Sequence, residues 1–199
     1  RSTLFPYTTL FRSLANRFVH ISFEADIEDW TAWALDNGIE TQVIAFLRFR
    51  PELLHKFEER TNEKAFPSPR AWAFVSNILQ NDPPEEVEYE LLSGTVGEGA
   101  ATELLGFLRI YRSLPSPDTV MMNPAEAMVP EDPAALYALC GALSRKASET
   151  TMERLVTYAG RLPAEFSVLL VRDAIHYAPE AVNTRAFIKW STDHNDVLI

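Results

Sequence analysis

The sequence predicts a mostly α-helical fold, and three observations lead to that prediction. Apolar residues recur with the period of a helix along much of the chain, most clearly over residues 71–79. Several such segments follow residues that commonly begin helices, namely Ser68-Pro69, Pro84-Glu85-Glu86 and Asp132-Pro133. A content of 47% hydrophobic and 11% aromatic residues in a chain of 199 residues favours a folded protein with a sizeable core.

Four helical segments are predicted between residues 26 and 82. Asp26 can cap the first, which Gly38 closes, and the second lies around residues 43–47. The second must change direction before Pro51, because proline disfavours a helical conformation at the residue before it. A short helix restarts over residues 51–57, and Ser68 opens the fourth. A strand candidate with partial alternation, residues 18–23, precedes these helices.

A second helical region is predicted from Pro83 to the end of the chain. Its first helix runs to a turn that Gly94, Gly97 and Gly99 make flexible, and the next covers residues 101–114. Four further helices are expected: one from Asp132-Pro133, one from Thr150 or Thr151 to Gly160, one from Pro163, and one around residues 186–190. Residues 114–130 hold four prolines and two adjacent methionines, which favours a loop over the core, with a mobile or docking segment as the alternative.

Charge and cysteine content limit the class of protein. The formal net charge is −10, and no Lys or Arg lies between Arg70 and Arg109, so we expect an acidic solvated surface and no direct nucleic-acid partner. No apolar run approaches the roughly 20 residues of a membrane span, so no membrane association is expected. The single cysteine, Cys140, fits a reducing, cytoplasmic compartment, and its apolar neighbours favour a buried inert thiol over a nucleophile.

Residues 1–13 are treated separately. They have no amphipathic period and lack the apolar centre and cleavage site of a secretory signal. They resemble the translated product of a sequencing adaptor, so we leave them out of the fold and function; a genuine N-terminal tail is the alternative. If they are an artefact, the natural chain was cut near Leu14 and its catalytic core lies upstream.

Arg70 occupies an electrostatically unfavourable position, the first turn of the helix opened by Ser68 and Pro69. Free backbone N–H groups and the helix dipole make the potential there positive, so a cation gains nothing from the helix. A bound anion would explain the arginine, since helix N-termini bind phosphates and a guanidinium adds a charged, bidentate donor. The alternative is a side chain that simply points to water.

Two motifs, in this order and spacing, carry a family resemblance. Leu14-Ala15-Asn16-Arg17-Phe18 is followed about fifty residues later by Phe66-Pro67-Ser68-Pro69-Arg70. Together with the intervening helical segments, they resemble the end of a AAA+ ATPase module of the MoxR-like branch, over residues 14–80. The resemblance implies that Arg17 is the arginine finger, which reaches the nucleotide of the neighbouring subunit. It implies that Arg70 is the sensor 2 residue of the helical lid, which contacts the phosphates of its own subunit's nucleotide.

The resemblance also implies an organisation for the whole chain. Residues 14–25 would be the end of a truncated α/β core contributing one strand, residues 26–82 the helical lid, and residues 83–199 a helical C-terminal extension. ATP would bind between core and lid in a homo-oligomeric ring that remodels or activates a client protein. The accompanying Mg²⁺ would be held by residues of the core that this chain lacks.

Motifs for a complete hydrolytic site are missing from this sequence. None of its glycines is followed by the Lys-Ser/Thr of a phosphate loop, and residues 169–173, which resemble a Walker B strand, have helical periodicity. The four histidines lack metal-binding spacing. At most one of Arg48 and Arg50 is expected to join a phosphate site, since residues two apart face different sides of a helix. We therefore expect no ATP hydrolysis by this chain alone; the alternative is a free-standing helical interaction or adaptor protein with structural arginines.

Overall fold

A computed structural model describes residues 17–19, 21, 24–56 and 64–194, and within these ranges the chain forms ten α-helices and two 3₁₀ helices. The α-helices, in chain order, are α1 Ile27–Asp36, α2 Thr41–Phe49, α3 Pro69–Gln80, α4 Glu85–Val96, α5 Glu98–Ser113, α6 Pro117–Met122, α7 Pro133–Ser144, α8 Met152–Ala159, α9 Ala164–Tyr177 and α10 Arg185–Asp193. The 3₁₀ helices, η1 Pro51–Leu53 and η2 Pro179–Asn183, follow α2 and α9. The predicted mostly helical fold is confirmed.

Side-chain caps fix the starts of three of the predicted helices. Asp26 Oδ1 accepts hydrogen bonds from the backbone N–H groups of Glu28 and Asp29, at 2.8 and 2.9 Å, at the start of α1. Ser68 caps α3 and Asp132 caps α7 in the same way. Each cap satisfies backbone donors that the helix leaves without an internal partner.

The predicted glycine turn after α4 is narrower than expected. Gly94 lies inside α4 and Gly99 inside α5, so only Gly97, with φ of +83°, separates the two helices. Because a positive φ is easily adopted only by glycine, the residue between the two helices has to be a glycine. Residues 114–130 likewise contain a short helix, α6, which packs against α7 and buries Val120 and Met121.

The predicted strand is largely outside the described residues. His20, Ser22 and Phe23 are not described, and the described Phe18, Val19 and Ile21 are exposed and carry no strand assignment. The strand, and the α/β core to which it would belong, stays a prediction. No strand occurs elsewhere in the ranges given above.

Helix α7 lies at the centre of the bundle, and nine of its twelve residues are buried. One side packs along α2 and α5, and the other along α9. Two apolar cores meet at this helix: the first is built mainly by α1–α5, the second by α6–α10, and Tyr137 and Leu114 pack against both. The first core combines Trp72 with Leu92 and Leu104, so it includes residues from both sides of the boundary expected at residue 83.

Candidate nucleotide site

The start of α3 leaves one backbone donor beside an exposed guanidinium. Ser68 Oγ accepts the N–H of Ala71 at 3.2 Å, the Trp72 N–H bonds to the Ser68 carbonyl at 3.0 Å, and Pro69 has no N–H. The Arg70 N–H is therefore the first-turn amide without an acceptor among the described residues. Its side chain is exposed, and no described carboxylate forms an ion pair with it. Arg70 thus offers an anion both its amide and its guanidinium.

Buried contacts hold this end of α3 in place. The indole Nε1 of the fully buried Trp72 donates to the Leu53 carbonyl at 2.7 Å, and the Trp72 ring packs against Phe46 with centroids 5.5 Å apart. The backbone N–H of Lys56 donates to the Pro67 carbonyl at 3.1 Å. Because these bonds connect α3 to the chain around η1, the backbone at Arg70 is held in place while its side chain is exposed.

A cavity of about 390 Å³ opens beside this helix start, and we call it the α1–α3 cavity. Its lining residues come from the segment before α1, from α1 itself, from the chain after η1 and from the start of α3. They are Glu24, Ala25, Asp26, Asp29, Trp30, Trp33, His55 and Pro69. Arg70 is not among them, although it directly follows Pro69. The cavity is large enough for a heterocyclic base or a side chain of similar size.

Two tryptophans form the aromatic part of this cavity. Trp30 and Trp33 lie on one face of α1 with ring centroids 6.3 Å apart, and Trp33 is 45% exposed. The Trp30 indole Nε1 is buried and has no hydrogen-bond partner among the described residues. Exposed indole faces stack on planar groups, so this wall suits an aromatic ligand.

Three carboxylates make the same cavity electronegative. Glu24, Asp26 and Asp29 all line it, and Asp26 is also the cap of α1. Carboxylates repel phosphate oxygens but accept hydrogen bonds from amino and hydroxyl groups. The cavity can therefore hold a base or sugar, whereas a phosphate would have to lie outside it, on the Arg70 side.

Arg17 is exposed and belongs to a short described stretch of residues 17–19. Within the described residues it makes no ion pair and does not line the α1–α3 cavity. The preceding residues of its motif, Leu14 to Asn16, lie outside the described part. Neither Arg17 nor Arg70 lines the α1–α3 cavity, and no contact among the described residues joins the two arginines.

Arg48 and Arg50 are engaged elsewhere in the fold. Arg48 forms a buried bidentate ion pair with Asp173, whose second contact joins Nη2 to Oδ1 at 3.0 Å. Arg50 pairs with Glu52 and Glu103, each at 2.5 Å. Asp173 lies on helix α9, which agrees with the helical reading of residues 169–173. Neither arginine is available for a phosphate at the start of α3.

Several features of the site could not be found by motif. The pairing of Arg48 with Asp173 joins positions 125 residues apart and has no local signature. Trp30 and Trp33 are three residues apart on a capped helix, which indicates that they share a face of it. That spacing does not predict a cavity. Arg185 stands in the first turn of α10, which Thr184 caps, so Arg70 is not the sole arginine in such a position.

Other chemistry is not supported by the described residues. Burial raises the pKa of the Cys140 thiol to about 12, so it is protonated and unreactive near neutral pH. No group of three or more His, Cys, Asp or Glu side chains is placed to hold a metal ion within the described ranges. None of the helices described is both long and apolar enough to cross a bilayer.

Comparisons of the chain with protein-family models, with curated proteins and with solved structures found no match. The relationship to AAA+ ATPases therefore depends on the two arginine motifs and stays a prediction.

Proposed function

We propose that this chain is the C-terminal part of a MoxR-like AAA+ ATPase, comprising the end of its core, its helical lid and a helical extension. The observation that carries the proposal is the start of α3, where the exposed Arg70, whose amide has no acceptor among the described residues, directly follows Pro69 in the lining of the α1–α3 cavity. A cation in this position opposes the helix dipole, and a bound phosphate removes that conflict.

The residues present fit part of an ATP molecule. The exposed Trp33 offers a ring face for the adenine, with the buried Trp30 behind it. The carboxylates of the α1–α3 cavity can accept hydrogen bonds from amino and hydroxyl groups, and Arg70 can bind phosphate oxygens. The acidic lining does not fit the triphosphate, which would lie towards Arg70 and the upstream core. Mg²⁺ would be held in that core, where it neutralises charge on the phosphates.

Arg17 has a separate role in this proposal. Its exposed side chain would lie at a subunit boundary of a homo-oligomeric ring, beside the γ-phosphate bound by the neighbouring subunit. A guanidinium there stabilises the charge that develops during phosphoryl transfer, which is worth roughly 10³ to 10⁵ in rate. The ring would use ATP turnover to remodel or activate a protein client.

The test uses the protein with its upstream region restored and measures ATP turnover. Arg17→Ala should lower the turnover number by roughly 10³ or more while leaving nucleotide affinity nearly unchanged, because the finger acts on the neighbour's transition state. The matched control is Arg185→Ala, which removes an exposed arginine from the first turn of α10. Unchanged turnover in Arg17→Ala, or an equal loss in the control, would contradict the role.

A second candidate is a free-standing helical interaction or adaptor protein. The acidic lining of the α1–α3 cavity and the equivalent position of Arg185 favour it, since both weaken the link between a first-turn arginine and phosphate. The upstream reading frame separates the two candidates. A Gly-x-x-x-x-Gly-Lys-Ser/Thr loop roughly 150 to 200 residues before Leu14 supports the ATPase, and a start codon beside Leu14 supports the adaptor.

A further inference from the structure

Helix α4 carries an apolar row on its exposed side. Its buried row consists of Glu88, Leu92 and Val96, each four residues from the next. On the other side, Val87 and Leu91 are also four residues apart and are 44% and 43% exposed. Residues at this spacing are neighbours on a helix, so the two side chains form one exposed apolar strip.

A row of carboxylates runs parallel to this strip. Glu86 and Glu90 precede Val87 and Leu91 by one residue, are exposed, and pair with no described cation. Glu88, by contrast, is buried and bonded to Arg112 at 2.5 and 3.1 Å. The helix dipole favours Glu86 in the first turn of α4, but it does not pair the two carboxylates, which repel each other at a spacing of four residues. Cations beside the row would relieve that repulsion.

The surrounding sequence strengthens this negative potential. No Lys or Arg occurs between Arg70 and Arg109, and Asp82, Glu85 and Glu98 add three more exposed acids near α4. A potential of this sign repels nucleic acid and anionic membranes and attracts basic polypeptides. The apolar strip and the acidic row together therefore select for one kind of occupant.

We infer that the α4 surface, defined by Glu86, Val87, Glu90 and Leu91, docks an amphipathic basic helix of a protein partner. The apolar residues of that helix cover Val87 and Leu91, and a row of Lys or Arg beside them meets Glu86 and Glu90. This is the helix-against-helix form of peptide recognition, with charge setting the choice of partner. The inference does not depend on the proposed ATPase function, because it uses no residue of the nucleotide site.

The experiment uses the 199-residue chain and a fluorescently labelled synthetic helical peptide of 18 residues. One face of the peptide carries a row of Leu at a spacing of four residues, and a parallel row of Lys at the same spacing lies beside it. Fluorescence anisotropy measures its dissociation constant. The double variant Val87→Ser with Leu91→Ser should weaken binding about tenfold, since two apolar contacts are lost. Glu86→Gln with Glu90→Gln should make binding less sensitive to salt.

The matched control is Val182→Ser with Ile188→Ser, which removes two exposed apolar side chains from η2 and α10. This control should bind the peptide as the unmodified chain does, and circular dichroism should show both double variants folded. Equal affinity in the α4 variant and the unmodified chain, or equal weakening in the control, overturns the inference. Equally tight binding of a peptide with Glu in place of Lys also overturns the inference. Self-association of the chain that the α4 variant abolishes overturns it too, since the occupant would then be a second copy.

Discussion

At the scale of single residues, burial and position decide what each ionisable group does. Arg70 and Arg48 are both arginines, yet one is exposed at a helix start and the other is paired with Asp173 in the interior. The sequence predicted the first environment because Ser68 and Pro69 mark the helix start locally. It did not predict the second, because the partner is 125 residues away.

Buried tyrosine and cysteine side chains make stability fall at high pH. Tyr158 is fully buried and its hydroxyl donates to the Met128 carbonyl at 2.8 Å, and burial raises the pKa of this hydroxyl to about 12. The ordinary pKa is about 10, so the unfolded chain loses this proton before the folded chain does. Cys140 has a raised pKa for the same reason. The stabilising effect is complete below the unfolded-state pKa and is lost as pH rises towards 12.

We therefore expect the free energy of unfolding to decline between pH 9 and 12, and to decline less steeply in Tyr158→Phe. Urea unfolding at stepped pH measures this slope. Tyr89→Phe, which removes a hydroxyl from an exposed side chain of α4, is the control for the substitution itself. Parallel slopes for the unmodified chain and Tyr158→Phe would show that Tyr158 does not contribute.

At the scale of helices, one close approach sets how α2 and α7 pack. A Cβ built at Gly141 of α7 would lie 2.7 Å from Thr41 Cγ2 of α2, and Thr41 is buried. The Thr41 hydroxyl also accepts a hydrogen bond from Arg145 at 3.2 Å. Glycine at position 141 is therefore required by the distance between the two helices and not by its backbone conformation.

Gly141→Ala should lower the free energy of unfolding by about 1–3 kcal/mol, because the added methyl must displace the buried Thr41 side chain or the helix that carries it. Adding Thr41→Ser should recover part of the loss, since it removes Cγ2 and retains the hydroxyl. Gly106→Ala is the control: it is a helical glycine of α5 with no atom near its would-be Cβ, and should stabilise by about 0.5–1 kcal/mol. An equal response of Gly141→Ala and Gly106→Ala in urea unfolding would contradict the close approach.

The helices show which features of the fold could be predicted from the sequence and which could not. The starts of α1, α3 and α7 were predicted because Asp26, Ser68 and Asp132 act within one turn of their own position. The extents of α4 and α5 were not, because tertiary packing carries both helices through Gly94 and Gly99. The sequence did not predict the α1–α3 cavity because its lining comes from separate segments, although it marked Asp26 and Pro69 as helix-start residues.

At the scale of the whole molecule, the buried Arg48–Asp173 pair ties the helices before residue 83 to those after it. Arg48 belongs to α2 and Asp173 to α9, and their side chains are 7% and 4% exposed. Together with the packing of α2 along α7, this pair joins the helices before residue 83 and the helices after it into one bundle.

Arg48→Met and Asp173→Leu should each destabilise the chain by about 3–5 kcal/mol, because each leaves an unpaired buried charge. The double variant should lose clearly less than the sum, since neither charge then remains. The exposed pair of Lys146 and Asp118, 2.9 Å apart, is the control and should contribute at most about 1 kcal/mol. Additive losses in the double variant would mean that the two side chains act independently.

The central claim is that the Arg70 guanidinium binds nucleotide phosphate. The most direct test compares the affinities of ATP and adenosine for the longer protein that the proposed function implies. Isothermal titration calorimetry measures both affinities for the unmodified sequence, for Arg70→Ala and for the Arg185→Ala control. We predict that Arg70→Ala weakens ATP binding about 10- to 100-fold, as expected for a lost charge-assisted hydrogen bond, and leaves adenosine binding unchanged. Unchanged ATP affinity in Arg70→Ala, or an equal loss for ATP and adenosine, would contradict the claim.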